Sequence, residues 1–138
     1  MRILIADSQS VCRARLQTML EPYGECVLVE DSASVVQAFE AALKTDKPFD
    51  LVLLEIRMPC MNGQEALLKI RQIEKRVRGV TLTQNTNRAI IFMHTSLEDP
   101  DQLVTAYRKG HCNGYIIKPV DKDELLERLR KYNLIGCI

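Results

Sequence analysis

Five short apolar runs punctuate the chain, at residues 3–6 (ILIA), 26–29 (CVLV), 51–54 (LVLL), 89–93 (AIIFM) and 115–117 (YII). Each is too short for a helix and most are rich in Ile, Leu or Val, so each predicts a strand. The runs around Leu51 and Ile90 do not alternate apolar with polar residues. That pattern belongs to strands covered on both faces, as in a parallel sheet with helices on either side.

Segments with a helical period lie between and after these runs. Leu16, Met19 and Leu20 form the stripe of the first, which Pro22 and Gly24 end. Val35, Phe39, Ala42 and Leu43 form the second. A third starts near Asn62 and carries Leu67, Ile70 and Ile73, and a fourth runs from Asp99 through Leu103, Val104 and Tyr107 to Gly110. In the last, Asp121 and Glu124 make a capping-box pattern ahead of Leu125, Leu126 and Leu129. The alternation gives five βα units in an α/β domain with a doubly wound sheet. No repeat or linker interrupts it, so residues 1–138 are expected to form one domain. The polar stretch from Arg76 to Arg88 reads as a long loop whose beginning the third helix can enter.

Composition narrows the function classes. Nineteen Lys and Arg against 18 Asp and Glu give no electrostatic pointer to nucleic acid or an acidic membrane. The opening MRILIADS is neither a signal peptide nor a membrane span, so a cytoplasmic location is expected. Cys12, Cys26, Cys60, Cys112 and Cys137 are odd in number and without a CxxC pair, and read as free thiols. A metal site of His94, His111, Cys112 and Cys60 fits no zinc spacing, and these residues are taken as packing or surface groups. The run EKRVR at residues 74–78 reads as a solvated helix end rather than a partner surface.

In open α/β sheets the ligand sits beyond the carboxyl ends of the strands, at the switch in strand order. Those ends present Asp7 and Ser8 after the first strand, Glu55 after the third, Thr95 after the fourth and Lys118 after the fifth. Singly, each has an ordinary explanation: a helix cap, a turn, a surface charge. Together they suit a phosphoryl group, with carboxylates for a divalent cation or as nucleophile, and a hydroxyl and an ammonium for phosphate oxygens.

These residues, in the segments ILIADS, DLVLLEIRMPCMNG, IIFMHTS and GYIIKPVD, resemble the receiver domains of bacterial two-component response regulators. The resemblance covers essentially the whole chain. It implies the flavodoxin-like strand order 2-1-3-4-5 and a stand-alone regulator, not an enzyme, that works by protein binding. The implied partners are a histidine kinase or phosphotransfer protein and a downstream target, with a homodimer through the fourth and fifth helices also compatible. It implies a phosphoacceptor at position 55, phosphate contacts from Thr95 and Lys118, a switching aromatic at Tyr115 and a cis bond before Pro119. Mg²⁺ would be held by Asp7, Ser8, Glu55 and the backbone carbonyl of Arg57.

Two positions depart from that pattern. Glu55 stands where the family has its phosphate-accepting aspartate, and Ser8 where it has a second acid. An extra methylene displaces the carboxylate, and a misplacement of about 1 Å can cost roughly a hundredfold in rate. Efficient phosphorylation of Glu55 is therefore not expected, Mg²⁺ binding is expected to be weak or lost, and signalling to be independent of phosphate. A Glu55–Lys118 pair would imitate part of the charge of an aspartyl phosphate, and both an active-like and a locked inactive domain are compatible with it. Two rival readings make specific demands on the same turn. A flavodoxin-like flavin protein would need a Gly-containing phosphate turn where DSQS stands. A phosphatase with an aspartate nucleophile would need a general acid where Gln9 stands. No organic cofactor is expected.

Overall fold

The structure, a computed structural model, describes residues 1–58, 62–78, 88–95 and 112–136. In chain order the elements are β1 (Arg2–Ala6), α1 (Ser10–Leu20), a 3₁₀ turn (Glu21–Tyr23), β2 (Glu25–Val29), α2 (Ser32–Lys44), β3 (Leu51–Glu55), α3 (Gly63–Arg78), β4 (Ile90–Thr95), β5 (Gly114–Ile117) and a C-terminal helix (Lys122–Lys131). All strand pairs are parallel and the order is β2-β1-β3-β4-β5, as expected. The fourth helical segment, with His111 and Cys60, lies outside the described residues.

Side-chain alternation splits the sheet into two apolar layers. Leu4, Val52, Leu54, Ile91 and Met93 point toward α2 and α3, meeting Val35, Phe39, Ala42 and Leu43 of the first and Leu67, Ile70 and Ile73 of the second. Ile3, Ile5, Leu51, Leu53 and Phe92 point the other way, against Leu16 and Leu20 of α1 and Leu125, Leu126 and Leu129 of the C-terminal helix. Every residue of β3 is buried, the consequence of helices on both faces. Each fully buried Leu or Ile is worth about 1.5–3 kcal/mol over its exposed state. The central strands are thereby a rigid base for whatever stands at their ends.

Helix ends follow the chemistry of the sequence. Asp31 caps α2 by accepting the Ser34 amide at 2.8 Å, Asn62 accepts the Glu65 amide at 3.0 Å, and Asp121 accepts the Glu124 amide at 3.0 Å. Pro22 sits in the first turn of the 3₁₀ segment that follows α1. Gly63 opens α3 where a Cβ would come 2.1 Å from the Glu55 carbonyl oxygen, so only glycine permits this approach of helix to strand. Its amide donates to the Ile56 carbonyl at 2.6 Å.

Two expectations need correction. Strand β4 continues through His94 and Thr95, and β3 through Glu55, because ladder hydrogen bonds do not depend on side-chain polarity. The EKRVR segment is not wholly solvated: Lys75, Arg76 and Val77 are exposed, but Glu74 is buried and paired with Arg71 at 2.7 Å. Cys12, Cys26 and Cys112 are free thiols, as expected. Among the described residues no helix is long and apolar enough to cross a membrane.

Candidate functional site

Asp7, Ser8, Glu55, His94 and Lys118 meet at the carboxyl edge of β1, β3, β4 and β5. Asp7 continues the register of Ile3 and Ile5 toward the α1 layer, and its amide donates to the Val29 carbonyl at 3.2 Å. It is fully buried, with the Gln9 amide on Oδ1 at 2.8 Å and the Lys118 ammonium 2.9 Å from Oδ2. The C-terminal residue of β3, Glu55, is 6% exposed. Its Oε1 accepts both the Ser8 hydroxyl at 2.7 Å and the Ser8 amide at 3.0 Å, and its Oε2 accepts from Lys118. Lys118 follows β5, its amide donates to the Thr95 carbonyl at 2.7 Å, and its bond to Pro119 is cis.

One ammonium thus serves two carboxylates, and the titration of all three groups reflects it. Burial works against ionised Glu55, yet the hydrogen bonds from Lys118 and Ser8 outweigh it and hold the carboxyl below its ordinary value. For Asp7 burial prevails, aided by the charge of Glu55, and its pKa is raised despite the Gln9 amide and Lys118. Burial disfavours charged Lys118, but Glu55 and Asp7 overcome it and its pKa rises.

His94 was not foreseen as a site residue. It pairs in register with Glu55, is 2% exposed, and places Nε2 3.4 Å from Asp7 Oδ2. Neither ring nitrogen makes a hydrogen bond with the described residues, an uncommon condition for a buried polar group. Burial, together with the charge of Lys118, pushes its pKa down to about 4, against the opposing pull of Glu55. The ring is therefore neutral at pH 7. Its signal in the sequence was parity: His94 falls two residues after Phe92 in a strand, hence on the same face.

The other expected residues take different places. Thr95 ends β4, is buried, and fixes the Lys118 backbone through its carbonyl. Tyr115 is half-buried in β5 and packs against the cluster under α2 and α3, on the face opposite the ion pairs. Arg57 is exposed just beyond β3.

The donor set does not fit Mg²⁺. Lys118 lies on both carboxylates, the Ser8 hydroxyl directs its proton at Glu55, and among the described residues no three His, Cys, Asp or Glu side chains are grouped to hold a metal ion. Nor does the turn after β1 suit a flavin phosphate, since the Ser8 hydroxyl and amide are engaged by Glu55 and the Gln9 amide by Asp7.

Comparison with known proteins gives a consistent result. A family model described as the response regulator receiver domain matches residues 3–130. The chain is 30% identical over 129 residues to the nitrate/nitrite response regulator protein NarL of Escherichia coli, covering 94% of this chain and 53% of that protein. Over 132 residues it is 30% identical to the chemotaxis protein CheY of Bacillus subtilis, covering 94% of this chain and 95% of CheY. It therefore spans about half of NarL and nearly all of CheY. Among solved structures, the Ssk1 receiver domain of Saccharomyces cerevisiae, crystallised with the histidine phosphotransfer protein Ypd1, has a TM-score of 0.78 at 22% identity, covering 96% of this chain and 88% of that one. The receiver domain of the Pseudomonas aeruginosa sensor histidine kinase PA1611, with magnesium coordinated in its active-site cleft, has a TM-score of 0.71 at 23% identity and covers 95% of each chain.

Proposed function

The chain belongs to the response regulator receiver family, and from that premise we propose that it is a receiver in a two-component or phosphorelay pathway that signals by binding other proteins, without an acyl phosphate on Glu55. The observation that carries this reading is the placement of the Lys118 ammonium on both Glu55 and Asp7. The cation that would meet a phosphoryl group is held by the side chain that has replaced the acceptor. Its ion pairs set the resting state of the domain. The receiver fold in complex with Ypd1 supports a histidine phosphotransfer protein or kinase as partner. A groove beside α1, lined by Cys12, Leu16, Met19, Pro119 and Val120, opens next to Asp7 and Lys118. Tyr115 and the face of β5 and the C-terminal helix serve the downstream target. The protein works in the cytoplasm, and Mg²⁺ has at most a weak hold on it.

The test is Mg²⁺-dependent labelling with acetyl phosphate, followed by intact mass and treatment with hydroxylamine, which cleaves acyl phosphates. The native chain is expected to give no hydroxylamine-labile label, whereas Glu55→Asp combined with Ser8→Asp restores one. A labile label on the native chain, lost in Glu55→Gln, would overturn the reading.

A further inference from the structure

The hydroxyl beside Glu55 is placed for chemistry of its own. Ser8 is exposed at the mouth of the site, while Asp7 behind it and Glu55 beside it are buried. It does not cap α1, whose N-cap residue is Gln9. Its Oγ points at Glu55 Oε1, 2.7 Å away, and its amide, 3.0 Å from the same oxygen, fixes the residue in that position. Lys118 holds the far oxygen of the same carboxylate. The order is hydroxyl, carboxylate, ammonium. This is a nucleophile within hydrogen-bond reach of a base, with a cation in the same cluster. An aspartate plays that base role toward a substrate hydroxyl in protein kinases.

We propose that Ser8, rather than Glu55, accepts a phosphoryl group from an acyl phosphate, with Glu55 as the base. The inference rests on the reading that Glu55 is not itself the acceptor. The Ser8 oxygen attacks phosphorus, so the Oγ–P bond forms as the P–O bond to the acyl group breaks, and the carboxylate of the donor leaves with the electron pair. The Ser8 proton passes to Glu55 Oε1 and from there to solvent. No oxidation occurs and no further reactant is consumed. To meet the charge that develops on the transferred oxygens, Lys118 has to exchange its contact with Glu55 Oε2 for one with the phosphoryl group. The product is a phosphate ester carrying about −1.5 to −2 charges at neutral pH. It competes with Glu55 for Lys118 and so couples phosphorylation to the ion pairs of the resting state.

The experiment uses the full chain with acetyl phosphate, intact mass, peptide mapping and hydroxylamine. A hydroxylamine-resistant phosphoryl group on Ser8 is expected, absent in Ser8→Ala, retained in Ser8→Thr, and formed about a hundredfold more slowly in Glu55→Gln. Because Ser8 is exposed, Ser8→Ala leaves the core intact, and circular dichroism checks this. No label on the native chain, or a resistant label that survives in Ser8→Ala, overturns the proposal and leaves the reading of Glu55 standing. A hydroxylamine-labile label on Glu55 overturns both. An unchanged rate in Glu55→Gln overturns the assignment of the base.

Discussion

Lys118 Nζ lies 2.9 Å from Oδ2 of Asp7, and the two ends of this pair differ in solvation: the Asp7 side chain is fully buried, whereas that of Lys118 is 19% exposed. Asp7 therefore depends on Lys118 far more than the reverse. Lys118→Met leaves Asp7 and Glu55 as neighbouring buried anions. The expected loss at pH 7 is about 2–3 kcal/mol, below the 3–5 typical of a fully buried pair because water reaches the lysine. Burial already raises the Asp7 pKa in the native protein and loss of the ammonium raises it further, so the variant regains stability as pH falls toward 4. Urea unfolding of the native chain and the variant at both pH values checks this, and an equal loss at the two would contradict it.

His94 gives the native protein a pH dependence of the opposite sense. The ring is neutral when folded, with a pKa of about 4, and takes up a proton near 6.5 when unfolded. The unfolded chain then binds more protons between these values, so this contribution to stability is complete above pH 6.5 and is lost as pH falls toward 4. A shift of this size corresponds to about 3 kcal/mol. His94→Leu should flatten that part of the profile, measured as urea midpoints at closely spaced pH values. A slope unchanged in His94→Leu would assign it to other groups.

How much of this was legible before the structure follows from what each residue type signals. The strands announce themselves as apolar runs, and the helix stripes of α2, α3 and the C-terminal helix bury the side chains that their spacing marks. Asp7, Ser8, Glu55 and Lys118 could be brought together from strand order alone, because parallel strands put like ends on one edge. The surroundings of Lys118 were only partly visible: Asp7 and Glu55 were expected to face it, but the direct ion pair with Asp7 and the buried His94 depend on side-chain directions that a run of letters does not give. Arg71 and Glu74 were hidden for another reason. Charged residues on a helix read as solvated, although these two stand four and seven positions after Leu67, on the same apolar stripe as Ile70.

Gly63 is a position where the site depends on backbone proximity. A Cβ there would sit 2.1 Å from the Glu55 carbonyl oxygen and 2.9 Å from Ile56 Cα, and backbone atoms cannot swing aside as a side chain would. Gly63→Ala should therefore push the start of α3 off the end of β3 and cost about 2 kcal/mol, within the usual range for overpacking. Because α3 starts against the strand end that carries Glu55, chemical shifts of the Ser8 amide should move as well. A variant as stable as the native chain, with the Ser8 resonance in place, would show that the helix start yields without cost.

The Arg71–Glu74 pair ties the middle of α3 to the strands on its far side. Arg71 donates to Glu74 at 2.7 Å, to the Ala89 carbonyl at 2.9 Å and to Asn113 Oδ1 at 3.0 Å, while Glu74 accepts the Ala89 amide at 2.7 Å. Asn113 in turn accepts the Ile91 amide at 2.8 Å, so the chain is held where it enters β4 and β5. Both charged side chains are nearly excluded from water, at 4% and 3% exposure. Removing one partner leaves the other as an uncompensated buried charge, and Arg71→Met or Glu74→Met alone should each cost about 3–5 kcal/mol. The double replacement should cost clearly less than their sum, with a coupling of about 1–3 kcal/mol, because an apolar pair leaves no buried charge behind. A double-mutant cycle in urea measures this directly. Additive losses would mean that each residue acts through its own backbone contacts, with the ion pair itself contributing nothing.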